Sequence, residues 1–224
     1  ATDNSVYQIV PQAVVFPRNT ADVATLLRLL HEPRFRAIKV SPRGGGTGTN
    51  GQSLCDGLIV DVSRHLRNIL HVDLAEGAVT VEPGVVLDQL NAHLKPHGVF
   101  FAPNLSPSSR ATLGGMISTD ACGKGSRIYG KTSNHILELE VVLLDGTRWV
   151  SRELSLEELE EIKRRDDFVG AIHREVDDIV TRQADRIREE FPKLKRFLTG
   201  YDLAHVYSED RQRFNLNAIL AGSE

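Results

Sequence analysis

The sequence predicts an α+β fold, in which short strands and two amphipathic helices form a core and a charged helical segment follows over residues 152–196. Short apolar runs bounded by Gly and Pro are typical of strands, two windows have helical spacing, and charge density rises after residue 151. The chain has 224 residues, of which 41% are hydrophobic and 25% charged. This composition indicates one large globular domain or two small lobes.

The first elements are predicted as strand, helix and strand. Residues 14–16 form a short apolar run that ends at Pro17. A helix follows, capped by Asn19 or Thr20. Its apolar stripe, at i, i+3, i+4 and i+7, consists of Val23, Leu26, Leu27 and Leu30. Residues 37–41 are the second predicted strand.

Three more strands and a second helix are predicted before residue 100. The strands occupy residues 58–62, 69–73 and 78–82. Pro83 and Gly84 break the last of them. The helix that follows ends near Gly98. Its apolar residues are Val86, Leu87, Leu90 and Leu94.

Residues 103–130 are rich in Ser, Thr and Gly and are predicted as a loop region. Residues 136–144 then form a longer apolar strand. A turn at Asp145 and Gly146 joins it to a strand over residues 147–150, because Asp-Gly favours a tight hairpin.

The charged segment, residues 152–196, is predicted as a helical insert. Ser155 and Glu158 have the spacing of a capping box. An apolar stripe is formed by Phe168, Ile172, Val176 and Ile179. A solvated helical hairpin is the simplest interpretation, and docking against a neighbouring domain is the alternative.

A first glycine-rich loop, residues 43–51, contains five glycines and follows a predicted strand. Residues 46–51 match the dinucleotide fingerprint G-x-G-x-x-G, but residues 52–57 are too few for the crossover helix that this motif requires. A P-loop is excluded because no Lys-Ser/Thr pair follows. The glycines instead predict a loop whose backbone N–H groups converge on an anion such as a diphosphate. The alternative is a mobile surface loop or a turn that needs positive φ. We expect a side chain at Gly45 to block that anion without disturbing the core.

The bulk properties exclude several classes of function. The formal charge of −3 gives no basic field for nucleic acid. Cys55 and Cys122 lie far apart, which argues against a disulfide scaffold or a zinc site and favours a reducing compartment. Pro96 lies between His93 and His97, and no third ligand is near, so no metal site is predicted. No apolar run is long enough to span a membrane and no signal-peptide pattern is present, so we expect a cytoplasmic domain without a transmembrane segment.

Five motifs occur in a fixed order along the chain. They are Pro-Arg-Gly-Gly-Gly-Thr-Gly at 42–48, Val-Glu-Pro-Gly-Val at 81–85, Ala-Thr-Leu-Gly-Gly at 111–115, Tyr-Gly at 129–130 and Glu-Leu-Glu-Val-Val-Leu-Leu-Asp-Gly at 138–146. Together they resemble the FAD-binding domain of the vanillyl-alcohol oxidase/p-cresol methylhydroxylase (PCMH-type) superfamily of FAD-linked oxidases. Residues 199–203 and 220–224 resemble the FAD-linked D-lactate and D-2-hydroxyglutarate dehydrogenases. Residues 48–53 and 102–108 are most similar to large bacterial members of the latter group, which also carry iron–sulfur segments.

The resemblance implies two α+β lobes, residues 1 to about 75 and about 76 to 224, with FAD between them. The first loop would hold the FAD pyrophosphate, and residues 104–123 would run along the ribityl chain and the isoalloxazine. The implied cofactor-binding residues are Pro42, Arg43, Gly44, Gly45, Gly46, Thr47, Gly48, Asn104, Thr112, Gly114, Gly115, Ser118, Thr119, Ala121, Gly123 and Glu224. Because threonine cannot form the histidyl link of covalent family members, Thr47 predicts non-covalent FAD.

The resemblance also implies a flavin-dependent oxidoreductase that transfers a hydride from a D-2-hydroxy acid, of the 2-hydroxyglutarate or lactate class, to flavin N5. In the family a cap domain supplies the substrate arginines and the base. We expect that domain, and any iron–sulfur cluster, to lie outside this sequence, which alone would be inactive and contains no assigned catalytic residue. A hypothesis of another class stays open, namely a non-catalytic FAD- or nucleotide-binding module. Arg/His clusters in a cap domain elsewhere in the protein would favour the dehydrogenase.

Overall fold

A computed structural model describes residues 2–194 and 200–224 of the chain. The strands are β1 (Ala13–Val15), β2 (Val40–Arg43), β3 (Leu58–Asp61), β4 (Ile69–Asp73), β5 (Ala78–Val81), β6 (Glu138–Val142), β7 (Arg148–Ser155) and β8 (Arg213–Asn215). The helices are α1 (Thr20–His31), α2 (Leu87–Leu94), α3 (Leu113–Ser118), α4 (Ser126–Tyr129), α5 (Leu156–Lys163), α6 (Phe168–Arg182), α7 (Ala184–Glu190) and α8 (Asn217–Leu220). Strands and helices share the core, so the predicted α+β class is confirmed.

The first sheet is parallel and has the strand order β1-β3-β2. Its central strand, β3, is buried through Leu58, Ile59 and Val60. Of the two predicted caps, Asn19 and Thr20, Asn19 is the one that caps α1, because its side chain accepts from the Asp22 backbone N–H. The segment 44–57 joins β2 to β3 without a helix, which confirms that the dinucleotide fingerprint was misleading.

The start of β2 differs from the prediction of residues 37–41. The strand begins at Val40 and continues to Arg43. A 3₁₀ turn at Pro33–Phe35 precedes it, and the Ile38 N–H donates to the Phe35 carbonyl, which keeps residues 36–38 in a turn. The strand therefore runs directly into the first glycine-rich loop.

The strands β4 and β5 form an antiparallel hairpin. Both strands pack against a core formed by α2, α3 and the segment before α2. Its buried members are Val85, Leu87, Leu90, Leu94, Ala111, Leu113 and Met116. A lobe boundary near residue 75 would separate these paired strands. The division into lobes stays a prediction, and its boundary moves to a position before Ile69, because β4 shares this core.

The region 103–130 is not wholly a loop, as the sequence suggested, because it contains α3 and α4. Leu113 and Met116 are buried one turn apart on α3. Gly114 and Gly115 masked this helix, since glycine weakens helical propensity. The tertiary packing requires Gly114, because a Cβ there would lie 2.7 Å from the Pro83 side chain.

The third sheet is antiparallel, in the order β6-β7-β8. The predicted turn at Asp145 and Gly146 is confirmed, with Gly146 at φ +82°. The strand β7 is longer than the predicted 147–150, because its last residues pair with β8 near the end of the chain. The capping box of Ser155 and Glu158 is confirmed at the start of α5.

The charged segment is not a solvated hairpin, because α5, α6 and α7 enclose a second core. Its buried residues are Leu154, Leu159, Val180, Ile187, Val206, Phe214 and Leu216. The predicted stripe is confirmed at Ile172 and Val176, which pack against this core. Phe168 is 42% exposed, whereas Val169, His173 and Val180 are buried. The sequence pattern missed His173, which is buried in this face, because its side chain is polar. Residues 195–196 and Thr199, which belong to predicted features, lie outside the described residues.

His173 lies in this core with its ring 5.2 Å from Trp149 and 5.9 Å from Phe214, centroid to centroid. Its Nδ1 is 2.8 Å from the Val169 carbonyl, so this nitrogen donates when it carries the proton. Burial keeps the pKa of His173 below its usual 6.5.

Charges in this segment are also paired internally. The Lys163 ammonium lies 2.6 Å from Asp177 Oδ2 and 2.6 Å from Glu160 Oε1. The Tyr207 hydroxyl donates to Asp177 Oδ1 at 2.6 Å. Burial, and then this hydrogen bond, raise the pKa of Tyr207. The composition of the charged segment indicates a solvated surface, but the hydrogen bond from Tyr207 to Asp177 joins it to the chain that follows.

Within residues 2–194 and 200–224, no helix has both the length and the apolar composition that crossing a membrane requires.

Candidate functional site

The two glycine-rich loops lie directly against each other. A Cβ on Gly44 would be 2.1 Å from Thr112 Oγ1, and a Cβ on Gly45 would be 2.0 Å from the Arg110 carbonyl oxygen. Ordinary van der Waals contact begins near 3.4 Å. The expectation that a side chain at Gly45 leaves the core untouched is therefore wrong, because glycine there is needed for the two loops to pack.

Arg43, at the end of β2, is engaged by the N-terminal segment. Its guanidinium donates to the Thr2 carbonyl at 2.6 Å and to the Ser53 hydroxyl at 3.1 Å. A Cβ on Gly46, whose φ is +61°, would collide with this guanidinium. The Arg43 guanidinium therefore packs against Gly46 and is hydrogen-bonded within the protein, so it is not a free cation.

The N-terminal segment also adds a carboxylate beside this loop. Burial opposes ionisation of Asp3, but hydrogen bonds from the Ser5 hydroxyl and backbone, with the charge of Arg43, outweigh it and lower the pKa of Asp3. The Asn4 N–H donates to the Gly48 carbonyl at 3.1 Å. Of the other predicted residues here, Pro42 is exposed within β2 and Thr47 is half-buried between Gly46 and Gly48.

The hydroxyls of α3 are satisfied within the helix. Ser118 donates to the Gly114 carbonyl and Thr119 to the Gly115 carbonyl, both at 3.1 Å. Thr112, just before the helix, differs from them. Its Oγ1 is buried and has no hydrogen-bond partner in the described part of the chain. Thr112 is therefore a predicted site residue with a buried, unpartnered hydroxyl, and such buried groups call for a partner.

The remaining predicted residues of the second loop form a narrow fold of the chain. A Cβ on Gly123 would lie 1.9 Å from the Asn104 carbonyl oxygen, so these two positions pack backbone to backbone. The Ala121 carbonyl accepts from the Thr132 hydroxyl at 2.7 Å. Cys122, between them, is a half-buried free thiol.

An ion pair that the sequence did not indicate holds this fold. Asp120 has φ +44°, which is unusual for a residue with a side chain. Its carboxylate lies 2.5 Å from the Lys131 ammonium and also accepts from the Ser133 N–H at 2.8 Å. Both side chains are about nine-tenths buried, at 9% and 10% exposure. No local pattern marks this pair, because its members are eleven residues apart across two loops.

Glu224 connects the two loop regions. Its backbone N–H donates to the Ser118 carbonyl at 3.2 Å, and its carboxylate accepts from Gln52 Nε2 at 2.9 Å. The structure thus brings the first loop, α3 and Glu224 together, although they are spread over most of the sequence.

An open cleft of about 240 Å³ lies where the two loops meet. Residues that line it include Gly45, Ser63, Arg67, Gly84, Arg110 and Thr112. Gly45 and Thr112 were predicted, but Arg67 and Arg110 were missed. Neither arginine belongs to a motif, although Arg110 immediately precedes the motif at 111–115.

The cleft fits a phosphate-bearing group. Glycine backbone, one unpartnered buried hydroxyl and two arginines are the groups that bind phosphate in proteins. Within the described residues, no group of three or more His, Cys, Asp or Glu side chains is placed to hold a metal ion. The local chemistry therefore favours an anion over a metal.

Comparison with known proteins gives the site a context. A family model described as an FAD binding domain matches residues 11–151. A D-2-hydroxyglutarate dehydrogenase of Pseudomonas putida is 56% identical over 224 residues, which is 100% of this chain and 22% of that protein. A D-2-hydroxyglutarate dehydrogenase of Escherichia coli is 52% identical over the same length, again 22% of that protein. The chain thus spans about a fifth of the length of these curated relatives.

Solved structures with a similar fold have low sequence identity. The 6-hydroxy-D-nicotine oxidase of Arthrobacter nicotinovorans superposes with a TM-score of 0.58 at 21% identity, covering 67% of this chain and 32% of that one. An alkyldihydroxyacetonephosphate synthase has a TM-score of 0.52 at 23% identity, covering 58% of this chain and 25% of that one. At this identity the likeness shows the fold alone.

Proposed function

The chain belongs to the family of FAD binding domains, and from this premise we propose that it is the cofactor-binding part of a flavin-dependent dehydrogenase that oxidises a D-2-hydroxy acid. The substrate class is 2-hydroxyglutarate, with lactate as the near alternative. The observation that carries the proposal is the 56% identity to a D-2-hydroxyglutarate dehydrogenase along the whole chain, through both glycine-rich loops and the charged segment.

In this proposal the junction of the two loops holds FAD between the two lobes. The residues 44–48 offer backbone N–H groups to the diphosphate, since glycines allow close approach. Thr112 offers its unused hydroxyl, and residues 104–123 line the ribityl chain and the ring. Bound flavin supplies the hydride acceptor. The chain's own contribution is to bind and orient the cofactor.

Two finer points belong to the same proposal. FAD is held non-covalently, because the hydroxyl of Thr47 offers no histidyl attachment. The protein works in the cytoplasm, which suits two free cysteines, Cys55 and Cys122, with no disulfide between them. The substrate arginines, the catalytic base and any iron–sulfur cluster are assigned to segments beyond this domain.

The test is flavin reduction in the full-length protein. Purified protein should be yellow, and the visible absorption of its oxidised flavin should bleach under anaerobic D-2-hydroxyglutarate. L-2-hydroxyglutarate is the matched control and should leave the flavin oxidised, while D-lactate separates the two substrate classes. Protein that holds FAD yet is bleached by no D-2-hydroxy acid would instead support the non-catalytic FAD-binding module. Protein that binds neither FAD nor any other nucleotide would contradict both.

A further inference from the structure

The cleft at the loop junction has an unbalanced charge. Two arginines, Arg67 and Arg110, line it, and none of its described lining residues is Asp or Glu. Neither guanidinium forms an ion pair or a hydrogen bond with any residue among 2–194 and 200–224. In a chain of net charge −3, two unneutralised arginines facing one cleft indicate a site for an anion.

The two arginines approach the cleft from different parts of the fold. Arg67 lies between β3 and β4, and its neighbour Leu66 accepts from the Gly84 N–H at 2.7 Å. Arg110 lies just before α3, and its N–H donates to the Pro107 carbonyl at 2.8 Å. Backbone hydrogen bonds therefore hold Arg110 itself and the residue before Arg67, while both arginines are exposed.

Gly45 connects this charge to the first glycine-rich loop. A Cβ on Gly45 would lie 2.0 Å from the Arg110 carbonyl oxygen, and Gly45 lines the same cleft as both arginines. An anion held by the loop's N–H groups at Gly45 would therefore lie within the same cleft as the two guanidinium groups. Arginine matches phosphate because its planar fork donates two parallel hydrogen bonds to two oxygens.

We propose that Arg67 and Arg110 bind the diphosphate of the ADP half of FAD and set the affinity of the domain for adenine nucleotides. This rests on the proposed function, since it assigns residues to its cofactor. It differs from the sequence expectation, in which backbone N–H groups alone held the diphosphate and Arg43 was the arginine of the site. Arg43 is occupied by Thr2 and Ser53, and the free cations come from outside the motifs.

The experiment measures ADP and FAD binding by calorimetry to the full-length protein after its flavin has been removed. Arg67→Gln and Arg110→Gln should each weaken ADP and FAD by about tenfold, because each removes a charge-assisted phosphate contact. Arg64→Gln is the matched control. Its guanidinium lies over the Phe16 ring at 5.0 Å and does not line the cleft, so ADP affinity should stay within about twofold of wild type. Thermal unfolding should change little in Arg67→Gln and Arg110→Gln, because both side chains are exposed. Arg64→Gln should lower the unfolding temperature only slightly, through the loss of its contact with Phe16.

Two further arms identify the source of the phosphate and the effect of charge. ADP should compete with FAD, and raising the salt concentration should weaken ADP less in the two variants than in wild type. Unchanged ADP affinity in both variants, while wild type still binds FAD, would overturn this inference and leave the proposed function standing. Arginine-dependent ADP binding that does not displace FAD would also overturn it, by placing the anion site outside the flavin site. A wild type that binds ADP but never FAD would refute the proposed function instead.

Discussion

Replacing Gly45 with alanine tests whether the contact between the two loops builds the cofactor site. The added Cβ would lie 2.0 Å from the Arg110 carbonyl oxygen, about 1.4 Å closer than the 3.4 Å at which ordinary contact begins. Neither partner is a flexible side-chain end, so the loops must separate. Overpacking of this kind costs about 1–3 kcal/mol of folding free energy.

The same displacement predicts the loss of FAD. An N–H···O hydrogen bond is effective at donor–acceptor distances of about 2.7–3.2 Å. Moving the donor by about 1 Å takes the pair outside this range. Losing one charge-assisted bond to the diphosphate costs about 1.5–3 kcal/mol, which is a tenfold to hundredfold weaker Kd. We therefore expect Gly45→Ala to weaken FAD by at least about tenfold.

Gly77→Ala is the control for stability. Gly77 has φ +62° and nothing within 4 Å of an added Cβ, so alanine there is strained by backbone conformation alone. The cost is about 1–2 kcal/mol, comparable to that at Gly45. Urea unfolding and FAD titration of both variants separate the two effects. FAD affinity in Gly45→Ala equal to wild type, or an equal loss of affinity in Gly77→Ala, would refute the argument from loop packing.

Three other predictions follow from the structure. Burial lowers the pKa of His173 in the folded state. As pH falls below about 6.5, the unfolded chain therefore takes up a proton before the folded chain does. The free energy of unfolding should then fall by up to about 1.4 kcal/mol per pH unit until the folded-state pKa is reached. Urea unfolding at pH 7.5 and 5.5 should show this slope, and His173→Gln should remove it. Phe214→Ala should cost about 3–5 kcal/mol because Phe214 is 0% exposed, whereas Phe100→Ala, at 60% exposure, should cost under about 0.5 kcal/mol; similar midpoints for the two would contradict the burial argument. Since Thr47 offers no histidyl link, flavin fluorescence should leave the chain on acid denaturation and filtration, and fluorescence retained with the protein would show a covalent bond.

Features determined by neighbouring residues could be predicted from the sequence. Asn19 caps α1 and Ser155 pairs with Glu158 because each bond closes within one helical turn. Gly146 makes the β6–β7 turn because its positive φ is a local requirement. The family could also be predicted, because the motifs at 42–48 and 111–115 depend on glycines whose order along the chain is visible without coordinates.

Features formed by residues that are distant in the sequence could be identified only from the tertiary structure. The helix α3 forms although it contains Gly114 and Gly115, because burial of Leu113 and Met116 outweighs the weak helical propensity of the two glycines. His173 belongs to a core that its polarity concealed, and Asp120 finds Lys131 across two loops. The arginines of the cleft lie in no motif, because their proximity to Gly45 is created by packing. Helical propensity and capping depend on residues within one turn of the chain, whereas burial and charge pairing depend on residues brought together by folding. The candidate site is formed by contacts of the latter type, which is why it could not be predicted in full from the sequence.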